Sequence, residues 1–263
     1  MIAIFVFLYG LVVGSFLNVC ACRIPKKQSI VSPGSYCPNC KKPIKFYDNI
    51  PVFSYVLLSG KCRNCRKAIS IRYPLVELAT GALFLVTYFI VGLQWLLVPA
   101  LILVALLIVI FLIDLDYQII PNGLVIFGLA AGLVFLAASF SVDIFPLIKT
   151  SFHPLLSSVG SGVLASGSLL AIAYLGELFL KREAMGVGDI KLAAVLGMFL
   201  GPYVFVSFFL AFLIGSIISL MFMSRGKIKS RQEVPFGPFM AVGAVLTLYF
   251  GPQIWHWYLS FLQ

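Results

Sequence analysis

Acidic side chains are scarce in this sequence, and three of them stand beside long apolar runs. The chain has nine Asp and Glu residues among 263. Asp114 and Asp116 close an apolar run that leads into an Ile-Pro-Asn sequence at 120–122, and Asp189 follows a Gly-Val-Gly sequence at 186–188. Charged groups next to membrane spans are costly and usually functional. Two carboxylates held close together share a proton, so that one activates water while the other donates to a carbonyl group.

Plainer roles for these carboxylates stay open at this point. Asp116 precedes Tyr117 and could mark the membrane–water interface, while Asp189 could cap the N-terminus of a helix, where anions are favoured. A pair of carboxylates would also suit an ion-coupled transporter. For a site that cleaves peptides, Gly186 and Gly188 are expected to let the backbone open where an extended peptide approaches.

Four of the six cysteines form two CxxC pairs, a spacing that is typical of a tetrahedral zinc site. The expected metal ligands are Cys37, Cys40, Cys62 and Cys65. Two disulfides or four free thiols are the alternatives, and a cytosolic location disfavours the disulfides. Cys20 and Cys22 are only one residue apart and are expected to be packing residues, because free cysteine behaves as a small apolar side chain.

Composition places most of the chain in a membrane. Hydrophobic residues make up 61% of the sequence and charged residues 11%, whereas soluble domains carry about 25% charged residues. About 20 helical residues cross the hydrocarbon layer, and backbone in lipid must satisfy its own hydrogen bonds. We therefore predict an all-α polytopic membrane protein with about eight transmembrane helices, over approximately 2–20, 73–92, 95–115, 122–141, 157–179, 188–202, 203–223 and 236–256.

The distribution of basic residues predicts the orientation. Between the first two spans lie 11 of the 19 Lys and Arg residues, so the positive-inside rule places this loop in the cytosol. The outer loop at 142–156 has only Lys149 as a fixed cation. The chain then returns to the cytosolic side twice, and these segments are predicted to carry six cations there, namely Lys181, Arg182, Arg225, Lys227, Lys229 and Arg231. Both termini then lie outside and both aspartate segments face the cytosol. The net charge of +10 is explained by these loops, so no nucleic-acid partner is expected.

Three regions are expected along the chain. Residues 1–20 form the first transmembrane helix, residues 21–72 a cytosolic zinc-binding loop, and residues 73–263 the transmembrane domain with both aspartates. A loop of this size buries little apolar surface, and zinc would supply the folding free energy that it lacks.

An ordered set of motifs resembles the type IV prepilin peptidases, which are membrane aspartyl proteases of the GxGD type. The set spans nearly the whole chain. It comprises Gly14-Ser15-Phe16-Leu17-Asn18-Val19 with Arg23 and Pro25, the double CxxC loop, Arg72-Tyr73-Pro74 with Glu77 and Gly81, Ile120-Pro121-Asn122, Gly186-Val187-Gly188-Asp189 and Pro235-Phe236-Gly237-Pro238.

The resemblance implies cleavage of leader peptides from type IV prepilins or pseudopilins at the cytosolic face of the bacterial plasma membrane. It also implies methylation of the new N-terminal residue with S-adenosylmethionine, since members that keep the cysteine loop are typically bifunctional. The family's essential aspartate lies seven positions before the proline, which assigns the dyad to Asp114 and Asp189 rather than Asp116. Arg72 and Glu77 are candidates for the cofactor-binding site, or else interfacial anchors.

Two hypotheses other than a prepilin peptidase stay open from the sequence. A carboxylate-coupled transporter with a zinc regulatory loop would place its carboxylates near the midplane of the membrane, and no inverted repeat with paired broken helices supports it. A membrane-anchored zinc interaction module would leave the second half of the chain unexplained.

Overall fold

The computed structural model describes residues 1–139, 147–148, 153–181, 185–225 and 235–261. Within these ranges the regular structure is helical, apart from two isolated β-bridges in the cysteine loop. The α-helices of this part of the chain are α1 (Ile2–Arg23), α2 (Phe53–Leu57), α3 (Arg72–Val91), α4 (Leu97–Tyr117), α5 (Asn122–Ala138), α6 (Ser161–Leu180), α7 (Val187–Leu200), α8 (Val204–Ser224) and α9 (Gly237–Ser260). The chain divides into two compact units, Met1–Leu93 and Gln94–Gln263.

The eight long helices match the eight apolar runs, so the expected all-α architecture is confirmed. Six segments are long and apolar enough to cross a membrane; α7 and α8 count as one of them, Val187–Ser224, and α5 is apolar but shorter. Several cations on which the orientation argument relied lie outside the described residues, namely Lys149, Arg182, Lys227, Lys229 and Arg231.

In the first unit, α1 and α3 pack as a close antiparallel pair. A Cβ atom on Gly10 would lie 2.7 Å from the Cα atom of Gly81, and one on Gly14 would lie 2.8 Å from the Cα atom of Glu77. Small residues at such a crossing let two membrane helices approach backbone to backbone. The side-chain amide of Asn18 donates to the carbonyl of Tyr73 at 3.2 Å, which links the two helices at the end nearest the cysteine loop.

The second unit is built around α4 and α7, whose side chains are buried along most of their length. Both α5 and α9 pack against each of these two helices. Helix α6 crosses α7 closely, because a Cβ atom on Gly197 would lie 2.5 Å from the carbonyl oxygen of Ser161. The arrangement brings the C-terminal end of α4 to the N-terminal ends of α5, α7 and α9.

Two glycines have different roles in α7. The helix continues through Gly197, where the missing side chain allows the contact with α6. The helix ends at Leu200 because Gly201 has a φ of +61°, a conformation that glycine adopts readily, and Pro202 follows in a 3₁₀ turn.

Candidate functional site

Asp114 lies on the last turn of α4 and is buried, with 5% of its surface exposed. Helix α4 ends three residues later, where Gln118 adopts a left-handed conformation and its N–H donates to the carbonyl of Asp114 at 2.9 Å. One carboxylate oxygen of Asp114, Oδ2, is fully buried and has no hydrogen bond of good geometry to any described residue. A buried carboxylate oxygen without a hydrogen-bond partner is costly in free energy, and a water molecule or a substrate atom that binds there would remove this cost.

Asp189 lies in the first turn of α7 and is also buried. Its backbone N–H donates to the carbonyl of Gly186 at 3.1 Å, so the chain turns sharply into the helix at this residue. The carboxylates of Asp114 and Asp189 are close enough to interact electrostatically. The structure therefore brings together the two aspartates that the sequence singled out.

The segments that carry the two aspartates contact each other through residues next to them. A Cβ atom on Gly188 would lie 3.0 Å from the side chain of Ile120, and Nζ of Lys191 donates to Oδ1 of Asn122 at 3.0 Å. The Ile-Pro-Asn turn after α4 is thus held against the start of α7. These contacts hold the two segments together, although Asn122 and Lys191 are 69 residues apart in sequence.

The expectation that Gly186 and Gly188 let the backbone open for an extended peptide stays a prediction, since neither glycine has a positive φ. Gly186 is extended with a φ of −68°, which any residue adopts, and Gly188 is helical. Gly188 matters because it has no side chain, and Ile120 packs against the space that its Cβ atom would occupy.

A third segment reaches Asp114 from the start of α9. Gly237 is the first residue of that helix, and its backbone N–H lies beside the Asp114 carboxylate. A Cβ atom at this position would lie only 2.6 Å from Oδ2. The N-terminal end of a helix carries partial positive charge and favours an anion. The Pro-Phe-Gly-Pro motif at 235–238 was noted in the sequence without a role, and its glycine lets α9 begin directly against the buried carboxylate.

Asp116 differs from its neighbour two positions away. It is exposed, whereas Asp114 is buried between helices. Residues two apart on a helix face different directions, and the structure places only Asp114 beside Asp189.

The four cysteines of the CxxC pairs converge within the first unit. Their Sγ atoms all lie within 4.8 Å of one another, and those of Cys37 and Cys65 are 3.8 Å apart. Four sulfurs at about 2.3 Å from a zinc ion would be about 3.8 Å from each other. All six cysteines are free, so the disulfide alternative does not describe this loop. Cys20 is buried in α1, Cys22 is exposed, and neither belongs to the cluster.

The two CxxC segments repeat the same backbone pattern. The N–H of Cys37 donates to the carbonyl of Lys42 and that of Cys62 to the carbonyl of Lys67, at 3.0 and 2.9 Å. In each segment the residue after the second cysteine, Lys41 or Arg66, has a φ of 58°. Such a paired turn directs both sulfurs of each segment, together with nearby backbone N–H groups, to one point.

Backbone N–H groups change the acidity of the thiols within this cluster. The N–H of Cys40, followed by that of Asn39, lowers the pKa of Cys37 to about 6 despite its desolvation. The N–H groups of Cys65 and Asn64 lower the pKa of Cys62. The N–H of Lys67 acts in the same direction on Cys65, but desolvation and the neighbouring cysteines raise the pKa of that thiol to about 11. Four thiolates crowd together only when a cation neutralises them.

An ion pair joins Arg63 of the second CxxC segment to Asp48 in the rest of the loop. Arg63 contacts both carboxylate oxygens of Asp48, at 2.6 to 3.1 Å, and its hydrogen bonds hold the pKa of Asp48 below the usual value.

Glu77 and Arg72 lie on the first two turns of α3. Glu77 is buried, and its Oε2 accepts a hydrogen bond from the backbone N–H of Val52 at 2.7 Å. Ser15 of α1 is close enough to interact with the same carboxylate. Five positions apart on a helix, the side chains of Arg72 and Glu77 leave the axis about 140° apart. The structure thus ties Glu77 to the loop and to α1 and does not pair it with Arg72.

Two family profiles match consecutive parts of the chain. The one described as "Bacterial Peptidase A24 N-terminal domain" matches residues 8–91, and the one described as "Type IV leader peptidase family" matches residues 101–220. No solved structure matches the chain.

Proteins named prepilin leader peptidase/N-methyltransferase are similar over most of the sequence. The protein of Bacillus subtilis is 34% identical over 255 residues, which cover 97% of this chain and 96% of that protein. The protein of Pseudomonas aeruginosa is 35% identical over 97% of this chain and 92% of its own length. The protein of Myxococcus xanthus is 40% identical over 88% of this chain, and the match spans 66% of that longer protein.

Proposed function

This chain belongs to the type IV leader peptidase family, and from that premise we propose that it cleaves the leader peptides of type IV prepilins or pseudopilins. We further propose that it methylates the new N-terminal residue, with S-adenosylmethionine as the methyl donor. The relatives carry both activities in their names. The transporter hypothesis has no supporting observation in the part of the chain that the structure describes, nor among these relatives.

Peptide cleavage is assigned to Asp114 and Asp189. The observation that carries this assignment is a pair of buried carboxylates, close enough to interact, one of which has a buried oxygen without a hydrogen bond of good geometry among the described residues. Two adjacent carboxylates do not both ionise readily, so the pair holds one proton. The ionised carboxylate takes a proton from water as the water attacks the scissile carbonyl, and the protonated one donates to the carbonyl oxygen.

The cysteine cluster is assigned to a structural zinc ion. Cys37, Cys40, Cys62 and Cys65 offer four sulfurs at separations that suit tetrahedral coordination, and zinc has a strong preference for such a set. A closed site with four protein ligands leaves no position for a reacting molecule, so its contribution is to the folding of residues 21–72. In this proposal the loop serves methyl transfer and residues 73–263 serve peptide cleavage.

Arg72 and Glu77 are proposed as parts of the methyl-transfer region. Support for Glu77 is its burial and its contacts with Val52 of the loop and Ser15 of α1, through which it fixes both against α3. Arg72 begins α3, at the junction between the loop and the membrane helix.

The orientation follows from charge. The 11 basic residues from Arg23 at the end of α1 to Arg72 at the start of α3 favour the cytosolic side of the bacterial plasma membrane for the cysteine loop. Successive helices then bring the ends of α4 and α7, with both aspartates, to that same side.

A single assay tests both activities. Purified full-length protein is incubated with a prepilin, with and without S-adenosylmethionine, and the product masses are measured. The proposal predicts removal of the leader in both samples and one additional methyl group only where S-adenosylmethionine is present. An intact prepilin in both samples would overturn it.

A further inference from the structure

A cavity of about 630 Å³ lies within the first unit, between one face of α1 and two segments of the cysteine loop. It is separate from the cysteine cluster. The α1 residues that line it follow a helical spacing along one stripe, and the loop supplies the opposite walls. The lining consists of Val12, Ser15, Phe16, Val19, Arg23, Ile30, Val31, Pro33, Gly34, Ser35, Asn49, Ile50 and Pro51.

Arg23 is the only charged residue in this lining, and it is only 9% exposed. Its guanidinium donates to three backbone carbonyls, those of Ser29, Pro33 and Gly34, at 2.7 to 3.1 Å. Within the described residues no carboxylate is found in ion-pair contact with Arg23, and Asp48 of the same loop pairs with Arg63. A buried cation without a counterion is costly in free energy. An anionic group in the cavity would remove that cost.

The donor geometry of Arg23 suits a carboxylate. A guanidinium has five N–H donors, and the three carbonyls use three of them. Two N–H groups therefore remain available on a side chain that its loop contacts hold in place. Guanidinium groups bind carboxylates through such paired donors, which makes the contact strong and directional.

The rest of the cavity suits a compact ligand with an aromatic ring and polar edges. Its volume lies within the range of about 300–1,000 Å³ that is typical of small-molecule and cofactor sites. Phe16 and the aliphatic side chains offer apolar surface, while Ser15 and Asn49 offer hydrogen-bonding groups. The cavity also lies next to Glu77. The Glu77 carboxylate interacts with Ser15 of the lining and accepts a hydrogen bond from the N–H of Val52, which follows Pro51 of the lining.

We infer that this cavity binds S-adenosylmethionine, with Arg23 as the residue that binds its carboxylate. The inference rests on the proposed methyltransferase function and gives that function a location. Glu77 then acts as a positioning residue, because it supports the wall of the cavity through Val52 and Ser15. An anionic phospholipid would also offer an anion to Arg23, and its release from the cavity-filling variants is therefore measured beside the binding of S-adenosylmethionine.

Cavity-filling substitutions test the location. Val19→Trp and Val12→Trp place an indole ring on the lined face of α1, whereas Leu8→Trp places one on the exposed surface one turn before it. Binding of labelled S-adenosylmethionine is measured by equilibrium dialysis on the purified full chain. We expect at least a tenfold weaker affinity for the first two variants and no change for Leu8→Trp. Zinc content and Tm establish that each variant is folded.

A change in the ligand tests the role of Arg23 without altering the protein. Decarboxylated S-adenosylmethionine should bind the wild-type chain roughly ten- to a hundredfold more weakly, as expected for the loss of a charge-assisted contact. Equal affinity for the two compounds would overturn the assignment of Arg23.

Two further results would overturn the inference. One is wild-type affinity for S-adenosylmethionine in folded Val19→Trp and Val12→Trp proteins. The other is loss of co-purified anionic phospholipid from these variants while S-adenosylmethionine still binds. Either result leaves the peptidase proposal standing, which fails only if the wild-type protein does not cleave a prepilin.

Discussion

The Cβ atom that Gly237 lacks would lie 2.6 Å from Oδ2 of Asp114. Non-bonded atoms do not approach so closely, and the obstacle would be the carboxylate itself. Helix α9 therefore begins in direct contact with the proposed catalytic group, with its first N–H beside that group. The arrangement explains a glycine at the start of a helix, where it would otherwise cost stability.

Gly237→Ala should lower the rate of prepilin cleavage while the protein stays folded. The added methyl group displaces the Asp114 carboxylate, and misplacement of a reacting group by about 1 Å costs about 100-fold in rate. The matched control is Gly123→Ala, because a Cβ atom at that position meets no atom within 4 Å. Initial cleavage rates of the two variants provide the comparison. Equal rates would show that Asp114 tolerates displacement and would contradict the proposed site geometry.

The hydrogen bond between Lys191 and Asn122 should couple the two aspartate segments. Lys191→Met and Asn122→Ala each remove the same contact, worth about 1 kcal/mol, or roughly fivefold in rate if it positions the dyad. The double variant should be no slower than the slower single variant, since the contact is lost only once. Kinetics of the three variants measure the coupling. Independent, multiplying effects would exclude a shared positioning role.

Much of the fold follows from the sequence because lipid imposes strict demands. A helix that crosses the hydrocarbon layer needs a long apolar run, so the eight helices could be located to within a few residues. The cysteine cluster was predictable because a CxxC turn is a local structure.

Contacts between distant segments could not be predicted in this way. The sequence shows that residue 237 is a glycine but not which atom lies against it, because that depends on how α9 packs on α4. Arg23 looks like an ordinary interfacial cation until its burial is known, together with the absence of a counterion among the described residues. Gly197 illustrates the same limit. A glycine within an apolar run predicts a break in the helix, but here the missing side chain allows α6 to pack closely against α7.

Gly197→Ala should destabilise the second unit. A Cβ atom there would lie 2.5 Å from the Ser161 carbonyl oxygen and 2.6 Å from the Cα atom of Gly162. Backbone atoms cannot move aside as a side chain can, and overpacking of this kind typically costs about 1–3 kcal/mol. Gly167→Ala on α6 is the control, because its Cβ atom would meet open space. Thermal unfolding in detergent should show a lower Tm for the first variant alone; equal values would contradict the close crossing of α6 and α7.

Removal of two zinc ligands should unfold the loop. The Cys37→Ser, Cys40→Ser double variant is expected to lose its zinc, and residues 21–72 should become sensitive to proteases because metal binding supplies their folding free energy. Metal analysis of the wild type should find one zinc ion per chain. Cys22→Ser, an exposed cysteine outside the cluster, serves as the control and should retain the metal. A wild-type protein without zinc would refute the metal assignment.

The central claim is that Asp114 and Asp189 together cleave the substrate peptide. Asp114→Asn and Asp189→Asn keep the shape of each side chain and remove its ability to exchange a proton. Asp116→Asn, at the exposed neighbouring position, is the control. The measurement is the rate of prepilin cleavage by equal amounts of each purified protein. We predict a loss of about a thousandfold or more for each of the first two variants and a rate near wild type for Asp116→Asn. Full processing by either the Asp114 or the Asp189 variant would contradict the dyad.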